Sequence, residues 1–237
     1  MRTSEVDWDD VRRRTLALRA KREAEQGGPR PPLPPPLTEA HIREAEEQFG
    51  LALPADYRRY LLHVSAGSEH NRIRELHRSD HGWRWRGDHD TLLARLGTPF
   101  PDHDTALAAE EEVWDRAPKE EDHADPAAFA AAHAAWSEEA EAAAEARVSG
   151  AVFLVAGGCS FSTLLVVSGP QRGTMWFDGR GTCDRLNPLL TDDDRPATFT
   201  EWYLDDLAHA ERPDSPEKRA HTPISGRWFD DWRQYRS

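Results

Sequence analysis

The sequence predicts an α+β domain, on three observations. Apolar residues recur at helical spacing between Thr38 and Gly67. Three apolar runs separated by glycine-containing turns follow between Ala151 and Asp178. A capped amphipathic helix closes the pattern after Thr198. Helices and strands gathered in separate blocks, rather than alternating, mark this class.

Each element has a local reason. Residues 4–26 read as a helix: Ser4 is a cap, and Asp7, Asp9 and Asp10 lie near the positive end of the helix dipole. Val11, Leu16 and Leu18 give it only a thin apolar stripe. The run from Gly27 to Pro36 is dominated by proline, which fixes φ and removes backbone donors. It reads as an extended, semi-rigid spacer, with a polyproline ligand for an SH3-like partner as the other reading. Thr38 caps the next helix, which carries Ile42, Ala45 and Phe49 on one face and ends at Gly50. Pro54 suits the first turn of a further helix with Tyr57, Tyr60, Leu61 and Val64 on its apolar face, stopped at Ala66-Gly67.

Residues 67–104 show no clear period. With His63 they hold His70, His77, His81, His89 and His103, together with Trp83 and Trp85. The segment 105–148 has a composition of its own, with 17 alanines and twelve Asp/Glu against three Lys/Arg. Alanine and glutamate are good helix formers, so one or two long helices are expected, broken near Pro118 and Pro126. Trp114, Phe129 and Trp136 are its few large anchors. It reads as an acidic solvated insertion, or as a partner-binding face.

Beyond Gly150 the period changes. Ala151–Ala156, Thr163–Val167 and Gly173–Asp178 read as strands, and the short turns between them imply antiparallel neighbours. The middle run is apolar throughout, which predicts a central strand covered on both faces. Thr198 or Thr200 caps the last helix, with Phe199, Trp202, Tyr203, Leu204 and Leu207 on its core side. Trp228, Phe229 and Trp232 in the tail are expected to dock on the body.

Composition excludes several functions. A mean hydropathy of −0.78 with no long apolar run leaves no membrane span, which needs about 20 apolar residues. The N-terminal residues lack the apolar core of a secretory signal. Two cysteines, Cys159 and Cys183, make no disulfide framework, so a reduced cytoplasmic setting is expected. A net charge of −13 argues against nucleic-acid binding by phosphate neutralisation and fits a basic partner. The wealth of arginine, 27 of the 30 basic residues, reads as coding bias.

No catalytic constellation stands out. The chain lacks a phosphate-binding P-loop motif and a G-x-S-x-G elbow. Nothing in the sequence places a base beside Cys159, which reads as a small core residue. His77 and His81 are spaced i, i+4 without the glutamate of a zinc-protease motif, so surface histidines are the expectation. No catalytic residue, metal site or cofactor is assigned, and the chain is not expected to be an enzyme.

Two stretches carry a resemblance. The first runs from Thr38 to Gly67 and carries I-x-x-A-E-x-x-F-G-L-x-L-P-x-D-Y-x-x-Y-L, then a helix stop near Ala66-Gly67. The second runs from Gly150 to Leu207 and includes L-L-V-V-S-G-P-x-R-G, M-W-F-D-G-R, N-P-L and T-F-x-E-W-Y-x-D-x-L. With Thr98-Pro99-Phe100-Pro101 they resemble the SUKH superfamily, which includes Smi/Knr-type fungal cell-wall-assembly regulators and many bacterial immunity proteins. The resemblance covers roughly half the chain, in the family's order. It implies a mostly antiparallel sheet packed by helices and a binding role without catalysis. It also implies, for a bacterial member, the binding and neutralisation of a cognate toxin, often a nuclease, in the cytoplasm of the producing cell. The alternative is a regulatory or scaffolding module of the cell-wall-assembly-regulator type, and a third reading, ranked below it, is a metal-dependent enzyme that uses the histidines between His63 and His103.

On this reading residues 1–36 are an N-terminal helix and proline linker. Residues 37–210 form the SUKH-like domain with its insertion at 105–148, and 211–237 are an aromatic extension. The expected partner is a protein, a basic toxin domain, and neither nucleic acid nor a membrane. The residues singled out for binding it are Trp83, Trp85, Trp176, Asp178 and Arg180, because aromatics and arginine dominate binding hot spots. Trp176 suits the core equally well.

Overall fold

The computed structural model describes residues 6–26, 31–68, 72–88, 90–213 and 223–226. Among them lie eight helices and two antiparallel sheets, of two and four strands, an α+β arrangement as the sequence predicts.

The larger sheet is a meander of β3 (Ala151–Gly158), β4 (Phe161–Val166), β5 (Met175–Asp178) and β6 (Leu186–Pro188), each antiparallel to the next. Because successive side chains point to opposite faces, it divides the core in two. Val152, Leu154, Leu165, Met175 and Phe177 face the main cluster. Ala151, Leu164, Val166, Trp176 and Leu186 face a second, smaller one with Phe100 and Val148. A register shift between Phe153 and Val155 lets Leu154 and Val155 both reach the main cluster. Strand β4 has the two-sided burial expected of it: Leu164, Leu165 and Val166 have no solvent exposure.

Helices fill the main side. The helix α2 (Glu39–Phe49) is closed by a capping box, with the Thr38 side chain accepting from the His41 amide. It ends at Gly50, whose φ of +67° is a left-handed C-cap. Tyr57, Tyr60 and Leu61 of α3 (Ala55–His63) are fully buried, and so is Val64 just beyond it. They pack with Phe199 and Tyr203 of α8 (Phe199–Glu211), capped at Thr198 rather than Thr200.

The N-terminal helix α1 (Trp8–Gln26) belongs to this same core and is no separate appendage. Its inward face is Trp8, Val11, Thr15 and Leu18, while Leu16 is exposed. The Thr15 hydroxyl meets the Tyr203 hydroxyl at 2.8 Å, and Arg14 forks onto Glu211 at 2.9 and 2.7 Å. In the described part of the proline run, residues 31–36 form no helix or strand, and the last of them are held. The Pro34 and Pro35 carbonyls accept from Ser65 Oγ and the Ala66 amide.

The stretch without clear period contains a hairpin of β1 (Leu76–Ser79) and β2 (Gly82–Trp85). Gln48 of α2 extends it, accepting from the Trp83 amide at 2.7 Å and donating to the Trp83 carbonyl at 2.8 Å. A short helix α4 (Asp90–Ala94) follows.

The insertion folds as a helical hairpin of α5 (His103–Asp115) and α6 (Pro126–Ala146), with a 3-10 turn at Glu120–Asp122 between them. Asp102 and Asp125 cap the two helices, and Pro126 takes the first turn of α6. Trp114 meets Trp136 edge to face at 5.0 Å, and the Trp136 indole donates to the Val113 carbonyl. After α6 the chain passes Arg147 and Val148 into β3, placing Val148 on the second sheet face. A short helix α7 (Arg180–Cys183) joins β5 to β6. Near the C-terminus a 3-10 turn at Ile224–Gly226 docks on α8, its Ile224 amide donating to Asp205. Ser4, Trp228, Phe229 and Trp232 lie outside the described residues.

Candidate partner-binding cleft

An open cleft of about 680 Å³ lies between the insertion and the second face of the sheet. Its walls follow from two helical stripes. Leu107, Glu110, Glu111 and Trp114 stand at i, i+3, i+4 and i+7 on α5. Glu141, Ala144, Glu145 and Val148 repeat that spacing along α6 and its exit. Such positions share one helix face, so each helix turns two glutamates and two apolar residues toward the cleft. Leu92, Phe153, Arg180, Gly181 and Asp184 complete the lining.

The charges inside it are unevenly matched. Arg147, buried behind this wall to 2% exposure, pairs with Glu110 and reaches Asp184 at 3.7 Å. Glu145 pairs with Arg95 at 3.0 Å. Arg180 is committed to Asp178, with Nε and Nη2 donating to the two carboxylate oxygens at 2.9 and 3.1 Å. Its Nη1 donates to the Ala144 carbonyl, which ties α7 to α6. Glu111 and Glu141 are exposed and make no ion pair among the described residues. The Arg147 Nε is buried with no acceptor among the described residues. Trp114 is 55% exposed, and among the described residues Leu16 is the other large apolar side chain that stands in solvent.

The structure separates the residues singled out from sequence. Trp85 is fully buried in the main core, stacked on Phe49 at 5.0 Å, its indole donating to the Tyr57 hydroxyl. Trp83 is 5% exposed, with its indole 3.4 Å from Glu44. Both face inward because GWRW is a strand whose alternate residues are buried. Trp176 is buried against Phe100 at 4.9 Å, and Asp178 is buried under Arg180. Burial removes these four from any surface that a partner would touch. Arg180 alone of the five lines the cleft.

Sequence reasoning named Trp114 only as a helix anchor and the segment 105–148 only as an alternative partner-binding face, and it did not pick out Leu107, Glu110, Glu111 or Glu141. Their signal was the apolar–acid–acid–apolar stripe, which is hidden among many exposed glutamates. The histidines do not converge: His77 lies on β1 and His81 in the hairpin turn, and His70 and His89 fall outside the described residues. Among the described residues no three His, Cys, Asp or Glu side chains gather as metal ligands. No helix among them is long and apolar enough to cross a membrane. No family model, curated protein or solved structure matches this chain.

Proposed function

We propose that this chain is a non-catalytic protein-binding module of the SUKH type, an immunity protein that binds and neutralises a cognate bacterial toxin, often a nuclease, in the cytoplasm. The observation that carries the reading is the cleft: an open, acid-rimmed groove with an exposed tryptophan, built on the segment that departs from the simple family pattern. An acidic surface draws in a basic toxin domain and speeds its association. The order of elements supports the family reading, with two short helices around a tight corner, then an antiparallel meander and a capped helix.

The regulatory-module alternative relies on the proline run and the tail to recruit partners. The Pro34 and Pro35 carbonyls already accept hydrogen bonds from Ser65 and Ala66, which favours the immunity reading. Co-expression with the products of neighbouring genes is the test. A tight complex with a toxin-like neighbour, and survival of cells that express both, is the expected result. Neighbours that include no toxin-like protein, or one that neither binds nor is neutralised, would overturn the proposal.

A further inference from the structure

Building on that binding role, we infer that the cleft takes a basic amphipathic protein segment. A Lys or Arg of the segment sits between Glu111 and Glu141, and a neighbouring apolar side chain packs on Trp114 and Leu107. Glu110, Glu145 and Asp178 each have an arginine of their own, in Arg147, Arg95 and Arg180. Glu111 and Glu141 have none among the described residues, yet they line one groove from different helices. Two carboxylates in one groove repel each other, and a cation between them relieves both.

Charge alone would fit any cation, and the rest of the wall selects a protein segment. Leu92, Leu107, Val148 and Phe153 make an apolar floor, and Trp114 is braced edge to face on Trp136 while more than half exposed. A rigid exposed tryptophan beside a pocket is the usual anchor of a protein interface. The volume of about 680 Å³ accommodates a few side chains, not a domain, so the occupant is a segment projecting from its parent.

The test uses the full chain and a fluorescent amphipathic Lys/Leu peptide of about 14 residues, or four helical turns, with a Glu/Leu peptide of equal length as control. The Lys/Leu peptide is expected to bind and the Glu/Leu peptide not to. The double variant Glu111→Gln/Glu141→Gln and the single variant Trp114→Ala should each weaken binding roughly tenfold or more. The variant Glu120→Gln/Glu121→Gln removes the same charge from the hairpin tip and should leave affinity within about twofold. Absence of Lys/Leu binding, equal loss in the two double variants, or indifference to Trp114→Ala would each overturn the inference. Circular dichroism of each variant checks that it is folded.

The same variants separate this inference from the immunity role. A toxin that binds Glu111→Gln/Glu141→Gln unchanged overturns the cleft assignment and leaves the role standing. A peptide that binds as expected, with no toxin found, supports the cleft and removes the role.

Discussion

Arg180 joins three segments of chain. Its own amide and two guanidinium nitrogens hold Asp178, at the end of β5, and its third holds the Ala144 carbonyl of α6. Asp178 is 6% exposed, so truncating Arg180 strands a buried carboxylate. Arg180→Ala should cost about 3 kcal/mol in urea denaturation. Arg180→Lys should recover only part of that, because an ammonium cannot fork across both oxygens. That Arg180 lines the cleft and that Trp83 is buried were not separable from sequence. Both were chosen for residue type, and large aromatic area serves a core as readily as an interface. Only the strand assignment of GWRW decides which way its tryptophans point, and a four-residue strand between charged neighbours gives little period to read.

At the scale of elements, α8 shows how local chemistry fixes a boundary. The Thr198 hydroxyl and the Glu201 carboxylate close a capping box, and Glu201 is held down to about 2, first by Arg195. Farther along, burial raises Asp206 to about 6, against the opposing hydrogen bond from Ser225 and the pull of Arg22, with Asp205 adding to the rise. Asp206 stands near 3.8 when unfolded, so between these values the folded chain holds a proton that the unfolded chain releases. Its contribution to stability therefore falls as pH rises from 3.8 to about 6. Asp206→Asn should melt higher than the parent at pH near 7, and the two should converge by pH near 4, as thermal scans at the two values will check.

Helices α2, α3 and α8 were legible because caps and apolar stripes are local signals. Strand β6 was not, since three residues ending at Pro188 carry no alternation. The inner face of α1 was half legible: Val11 and Leu18 stood out, while Thr15 is buried through the Tyr203 hydroxyl 188 residues away.

The whole molecule is a sheet with two unlike coverings. One side carries α1, α2, α3 and α8 around an aromatic cluster. The other side is roofed by Phe100, Val148 and the acidic hairpin, and residues 105–148 hold nine of the thirteen excess negative charges. The composition of 105–148 pointed to one or two helices, but the cleft beneath them was illegible, because it exists only once α6 and the sheet meet through Arg180 and Ala144. Replacing residues 103–146 by a short glycine linker should expose the face that bears Leu164, Val166 and Trp176. Strong binding of a hydrophobic dye and a shift to larger species than the parent chain on size exclusion are the expected readouts. A dye-silent variant that elutes with no such shift would show that the hairpin is dispensable to the fold.

The hairpin leaves and rejoins the body at almost one point. The Phe100 amide donates to the Ser168 carbonyl, and the Gly150 amide to the Arg95 carbonyl. At Gly150, φ is +69° and a β-carbon would drive into the Thr98 carbonyl and the Phe100 amide. With its two ends clamped side by side, everything between them is a cassette. Lengthening it costs the scaffold only loop-closure entropy, about 0.6 kcal/mol per doubling. If the cleft is the binding site proposed above, exchanging this one stretch of about 44 residues changes both helical walls while the two clamps stay in place.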